Sequence, residues 1–407
     1  MRGWIPPLPL ALGMGAFGLS WILLFTVARS GAPMASSFAA LGWVHLVALG
    51  WITLIALSIL IHVIQAFLDI EWRLVGVAKV STLFFAAGAA ILVGGFLGPN
   101  LTVLQCGAWI ALLAVLTYAV AACTPLIAAM RRNGTARAVA RAFGATLALL
   151  LVTASLGLLF ALALRGIAPA DVLRELPKSH ALLGIAGWLS LLVMGVSART
   201  MGPIAGERSR RIWAHVASST LVLSGALLAA VTVALKLVPA ALAGCGLILV
   251  GILTYTADLW RVLLRATVAH RPPQVLMASG ALAAVVAAVL FTGSVLGQAW
   301  GPAAVYVALL GWIGSAVLAH IHHIGVRVLL TNVRGDDDET RPESVLDSRL
   351  TWITLLAYEA AVVLGTLALL RGEPAFLQLA ALVGLISFLT TVSNLAAAYR
   401  AARQPAT

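Results

Sequence analysis

The stretch HLVALGWITLIALSILIH, residues 45–62, decides how the rest of this 407-residue chain is read. Its Gly50-Trp51 pair is followed, eleven residues past the tryptophan, by His62 inside an unbroken apolar run. The same device occurs at Gly187-Trp188 with Arg199 and at Gly311-Trp312 with His323. The Trp-to-Trp intervals are 137 and 124 residues. A unit of about 130 residues therefore occurs three times, the kind of self-similarity that marks a repeated architecture. Two of the three units place histidine at one depth, which is a way of building a cofactor site between helices.

Around these motifs the chain is apolar almost throughout. Hydrophobic residues make up 62% and charged residues 10%, so most of it belongs in lipid. Runs of about 20 apolar residues, the length that crosses a ~30 Å hydrocarbon core, recur along the whole sequence. Twelve are predicted, near 9–29, 38–67, 76–98, 100–128, 142–164, 179–204, 213–235, 237–264, 274–297, 302–330, 350–370 and 375–399. Backbone in lipid must satisfy its own hydrogen bonds, so these runs are helices. The expected fold is an all-α integral membrane protein, one polytopic domain over 1–407. The Gly-Trp pairs fall in spans 2, 6 and 10, dividing the twelve into three four-helix groups, roughly 1–140, 141–270 and 271–407. Leu8 to Val27 reads as the first span and not as a removed signal peptide.

The net charge of +12 is topological. Only Arg29, Arg165, Arg174, Lys178, Lys236 and Arg371 fall on one side of the bilayer. The other 20 of the 26 Lys and Arg, among them Arg131, Arg132, Arg137, Arg141 and Arg261, gather on the opposite side. Such a bias predicts an inner (cytoplasmic) membrane protein with both termini in the cytoplasm. Nucleic acid is excluded as a partner; the bilayer is the expected one. Cys106, Cys123 and Cys245 lie inside apolar spans without paired spacing and read as small buried hydrophobes. His270 and the acidic stretch within 335–347 read as solvated loop.

Twelve helices in three four-helix groups, with histidines on helices 2, 6 and 10, resemble the catalytic subunit of haem–copper oxidases. The segments His45 to Phe67 and His180 to Pro203 are similar to divergent relatives of that subunit and to the NnrS family of haem-containing membrane proteins linked to nitric oxide tolerance. The resemblance implies b-type haem, one or two, with copper as the lesser alternative. It also implies electron or nitric oxide handling in a respiratory or stress-response role, with a redox partner protein or quinol as the electron source. The sequence departs from the family at the copper site. Helix 7 offers only His215, and the His320-Ile321-His322 echo of the family's His-x-His lies in the cytoplasmic half. A complete oxygen-reducing centre is not expected.

Ionisable groups at membrane depth are functional candidates, and a neutral imidazole is a good axial ligand for haem iron. If helices 2 and 10 are neighbours, as the family fold implies, His62 and His323 form an inner pair, about 16 Å below their tryptophans. His320, three residues from His323, shares its α-helical face and is an alternative ligand, whereas His322 points elsewhere. His45 and His180, six and eight residues before their tryptophans, form an outer pair. Arg199 is a candidate donor to a haem propionate, or a snorkelling cation. The His320-His322-His323 spacing with His62 could alternatively hold copper or zinc. Glu359, near mid-membrane, is a candidate proton relay or the partner of a basic group. The competing readings are a proton-coupled transporter or channel lined by the buried histidines and Glu359, and a structural subunit of a respiratory complex. No catalytic base, nucleophile or phosphate loop identifies an enzyme.

Overall fold

The computed structural model describes residues 7–34, 36–68, 70–132, 135–206, 211–268, 271–335 and 340–403. His270 and residues 336–339 of the acidic loop lie outside them. No strand occurs among the described residues. Twelve helices are long and apolar enough to cross a bilayer: Leu8–Ser30, Phe38–Leu68, Val75–Leu97, Leu101–Met130, Ala136–Leu164, Pro177–Ala205, Ile212–Ala234, Val238–Leu263, Pro272–Val295, Gly301–Arg334, Ser348–Arg371 and Pro374–Arg403. We number these spans 1 to 12. The chain is thus an all-α, multi-pass membrane protein. Its outer surface carries side chains such as Phe84, Val120 and Leu356, a sticky patch in water but a solvated one in lipid. Cys245 is buried as expected, while Cys106 and Cys123 face outward, where a thiol meets lipid as readily as a methyl group does.

Burial sorts the spans into two classes. In spans 2 and 6, 67% of the most apolar stretch is buried, and in span 10, 89%; the other nine lie between 33% and 50%. The three helices marked by Gly-Trp are therefore the centre of the bundle. The closest packings recur every four spans: 3 on 4, 7 on 8 and 11 on 12, then 4 on 5, 8 on 9 and 12 on 1. The outer spans thus fall into three arcs, 3–4–5, 7–8–9 and 11–12–1, set around the central three. Small residues permit the tightest contacts: a Cβ on Gly107 would strike the backbone of Leu92, and one on Gly244 that of Ala229.

Each central span contains a feature that composition did not reveal. It winds as a π-helix over eight residues, Leu46–Thr53, Leu183–Ser190 and Val307–Gly314. In all three the tryptophan is the sixth residue of the segment. An i→i+5 winding inserts residues into the α-helical register and recurs at functional sites. Span 10 winds this way again at Ile321–Gly325, around the histidines singled out above.

Candidate functional site

The π segments bring the three tryptophans to one level, where the central spans meet. Trp188 Nε1 donates to Thr53 Oγ at 3.2 Å, and Trp312 Nε1 donates to Ser190 Oγ at 3.0 Å. Thr53 and Ser190 each lie two residues past their own span's tryptophan. The corresponding residue of span 10 is Gly314, which has no hydroxyl. It packs against the Trp51 ring and the Tyr358 hydroxyl, and Trp51 Nε1 has no hydrogen-bond partner. The cyclic clasp is thus made at two of its three positions.

Above this level the residue six positions before one tryptophan meets the residue eight before the next, at each interface. Between spans 2 and 6 these are His45 and His180. Their ring centroids are 6.3 Å apart and their planes inclined at 27°. Between spans 10 and 2 they are Tyr306 and Trp43, stacked at 5.8 Å and 19°. Between spans 6 and 10 they are Leu182 and Ala304, both of which line an apolar cavity. One framework position therefore holds an imidazole pair, an aromatic stack and an opening.

The imidazole pair has the features of a ligand site. His45 Nδ1 donates to the Leu41 carbonyl at 2.7 Å, one turn back along its helix. That bond fixes the ring and leaves Nε2 as the lone-pair nitrogen, the usual arrangement for a metal-ligating histidine. His180 is engaged by the Thr153 backbone, while its Nδ1 is buried with no hydrogen-bond partner by geometry. Phe96 stacks on His45 with centroids 4.9 Å apart, and Phe160 meets His180 edge-on at 5.4 Å. Two imidazoles held by one metal through bonds of about 2.0–2.1 Å have their centroids about 6 Å apart, and the separation here is of that size.

The lower histidines are placed differently. His320 has both ring nitrogens engaged: Nδ1 with the Ala316 carbonyl at 2.6 Å, and Nε2 with Thr200 Oγ of span 6 at 2.8 Å. It bridges spans 6 and 10 and offers no lone pair to a metal in this arrangement. His322 Nδ1 bonds the Leu318 carbonyl of its own helix. His320 and His323, expected to share a face, are near enough to interact electrostatically, and the stretch between them winds as a π turn at Ile321–Gly325. No group of three or more His, Cys, Asp or Glu able to hold a metal occurs among the described residues. The set His62, His320, His322 and His323 considered for copper or zinc is accordingly not gathered, because His320 and His322 are turned to separate partners. His62 and His323 are half-buried in the C-terminal parts of spans 2 and 10, and those two spans meet through their π segments. Arg199 is exposed on span 6.

Glu359 sits at the middle of span 11. Ser279 Oγ of span 9 lies 2.7 Å from its Oε1, and Ser315 Oγ of span 10 lies 3.2 Å from the same atom. Both partners that reach it are hydroxyls, and no ion pair to it occurs among the described residues. Ser279 Oγ is also within reach of the Val275 and Leu276 carbonyls. A hydroxyl has a single hydrogen. When Ser279 turns it to its own helix, the short contact persists only if the carboxyl is protonated and donates. The arrangement serves either protonation state.

The serine partners and the cavity, lined mainly by alanine and isoleucine, carry no signature in the sequence. The chain matches no protein-family model, and no curated protein matches it.

Proposed function

We propose that this is a membrane haem protein in which His45 and His180 would hold a b-type haem. The observation that carries it is the pair of near-parallel imidazoles with centroids 6.3 Å apart, one ring fixed by the Leu41 carbonyl and the other beside the Thr153 backbone with Nδ1 unpartnered. Haem held by both imidazoles would supply one-electron chemistry; the chain supplies the ligands and an apolar surround. The reading includes the resemblance to haem–copper oxidase subunits and NnrS proteins. It also includes three quasi-equivalent four-span units, an inner-membrane location with both termini cytoplasmic, and a redox protein or quinol as electron source. His62 with His323 remains the proposed second ligand pair.

The test is a reduced-minus-oxidised visible spectrum with a pyridine haemochrome assay on the purified full chain. Wild type should show haem b at one or two per chain. His45→Ala and His180→Ala should each lose one equivalent at retained expression, and His62→Ala should lose only the second, if present. A colourless, iron-free wild type from haem-replete cells overturns the proposal.

Glu359 favours a second reading, a proton-coupled transporter. A carboxyl at mid-membrane, held by two hydroxyls and no cation, is costly and suits proton binding. In that case Glu359→Gln abolishes proton-driven uptake into vesicles while leaving any haem spectrum unchanged.

A further inference from the structure

Glu359 brings a carboxyl to mid-membrane, and the groups that meet it are oxygens. Its Oε1 lies 2.7 Å from Ser279 Oγ of span 9 and 3.2 Å from Ser315 Oγ of span 10, so three spans converge on one atom. Backbone oxygen lies alongside. A Cβ added to Gly280, the neighbour of Ser279, would sit 3.1 Å from Ser315 Cβ, 3.3 Å from the Trp312 carbonyl oxygen and 3.5 Å from that of Gly311.

The Gly311 carbonyl is one that its own helix passes over. Ser315 N–H bonds the Leu310 carbonyl, which closes the π winding, and that of Trp312. The α-helix resumes at Ser315, so the change of register skips Gly311. Backbone polar groups in lipid need a partner, and carbonyls released where a membrane helix is irregular coordinate cations in ion-coupled proteins.

Charge and donor type select the ligand. Carboxylate, hydroxyl and carbonyl oxygens are hard donors that suit alkali and alkaline-earth ions, whereas zinc and copper favour imidazole or thiolate. One carboxylate balances one positive charge, and a divalent ion would leave an excess charge in lipid, which is costly. Oxygens packed 2.7 and 3.2 Å apart favour the smaller of the common alkali ions. Ser279 can turn its hydrogen to the Val275 or Leu276 carbonyl and present a lone pair to the ion. The other two central spans carry Leu54 and Leu191 where span 10 has Ser315, so the constellation belongs to the third unit alone.

We propose that Glu359, Ser279, Ser315 and the Gly311 carbonyl form a binding site for one sodium ion. This deepens the transport reading of Glu359 and rests on it only for what the ion does; binding itself needs neither transport nor haem.

The probe is radioactive sodium at equilibrium with the purified full chain in detergent. Wild type should retain one ion per chain, displaced by unlabelled sodium and not by an equal concentration of potassium. Glu359→Gln should abolish retention, and Ser279→Ala should weaken it about tenfold or more, each with any haem spectrum unchanged. If Glu359→Gln fails to fold, Ser315→Ala should weaken retention as Ser279→Ala does. No retention by the wild type, retention unaltered in these variants, or potassium competing as well as sodium overturns the inference. Sodium retained by a protein that drives no uptake leaves the site standing and overturns only the transport reading. Glu359-dependent, proton-driven uptake without sodium retention does the reverse.

Discussion

At the scale of single residues, Gly314 breaks an otherwise repeating pattern of indole–hydroxyl bonds. Ser190 and Thr53 are the acceptors that tie the central spans together. An interhelical hydrogen bond in a membrane is worth about 0.6–2 kcal/mol. Ser190→Ala and Thr53→Ala should each lower unfolding stability by about that amount in a thermal melt in detergent. Trp51→Phe should cost less than Trp188→Phe, because Trp51 Nε1 has no acceptor to lose. Gly314→Ala should be worse than either hydroxyl deletion. Its methyl group enters the space of the Tyr358 hydroxyl, which is itself held by the Leu310 carbonyl at 2.7 Å. Overpacking of that kind costs about 1–3 kcal/mol. A melt unchanged in Gly314→Ala would show that the seam between spans 10 and 2 is looser than its contacts imply.

At the scale of elements, the π segments set which side chains meet. Removing one residue from a π turn returns it toward α-helix and rotates the preceding segment by about 100°. Deletion of Leu46 should therefore swing His45 away from His180 and eliminate the haem equivalent assigned to that pair, with span 2 still inserted. An unaltered spectrum in this deletion would move the ligand elsewhere. This level is also where the sequence ran out. Apolar runs locate all twelve spans, with ends shifted by a few residues: span 5 begins at Ala136, not near 142, and span 10 reaches Arg334, not 330. Tryptophan spacing marked the helices that became central, and the offsets of His45 and His180 from Trp51 and Trp188 already suggested a pair. Winding was not legible, since Gly-Trp is compatible with α- and π-helix alike. The lower histidines were read on α-helical geometry, and Thr200, the residue that engages His320, lies 120 positions away. Ser279 and Glu359, 80 positions apart, are joined only by tertiary packing.

At the scale of the whole molecule, charge placement predicts orientation. Reporter fusions at either end should both be active in the cytoplasm; activity of either on the far side would invert the assignment. The pairing of span 12 with span 1 has a separate consequence. Span 12 lies against span 1, and an even number of crossings returns the last helix to the face where the first began. Circular permutation is therefore open to this bundle: a short peptide suturing residue 403 to residue 7, with new ends cut between spans 4 and 5, should still assemble. Such a permutant would keep every neighbour relation of the native protein while beginning its synthesis from a different third of the bundle.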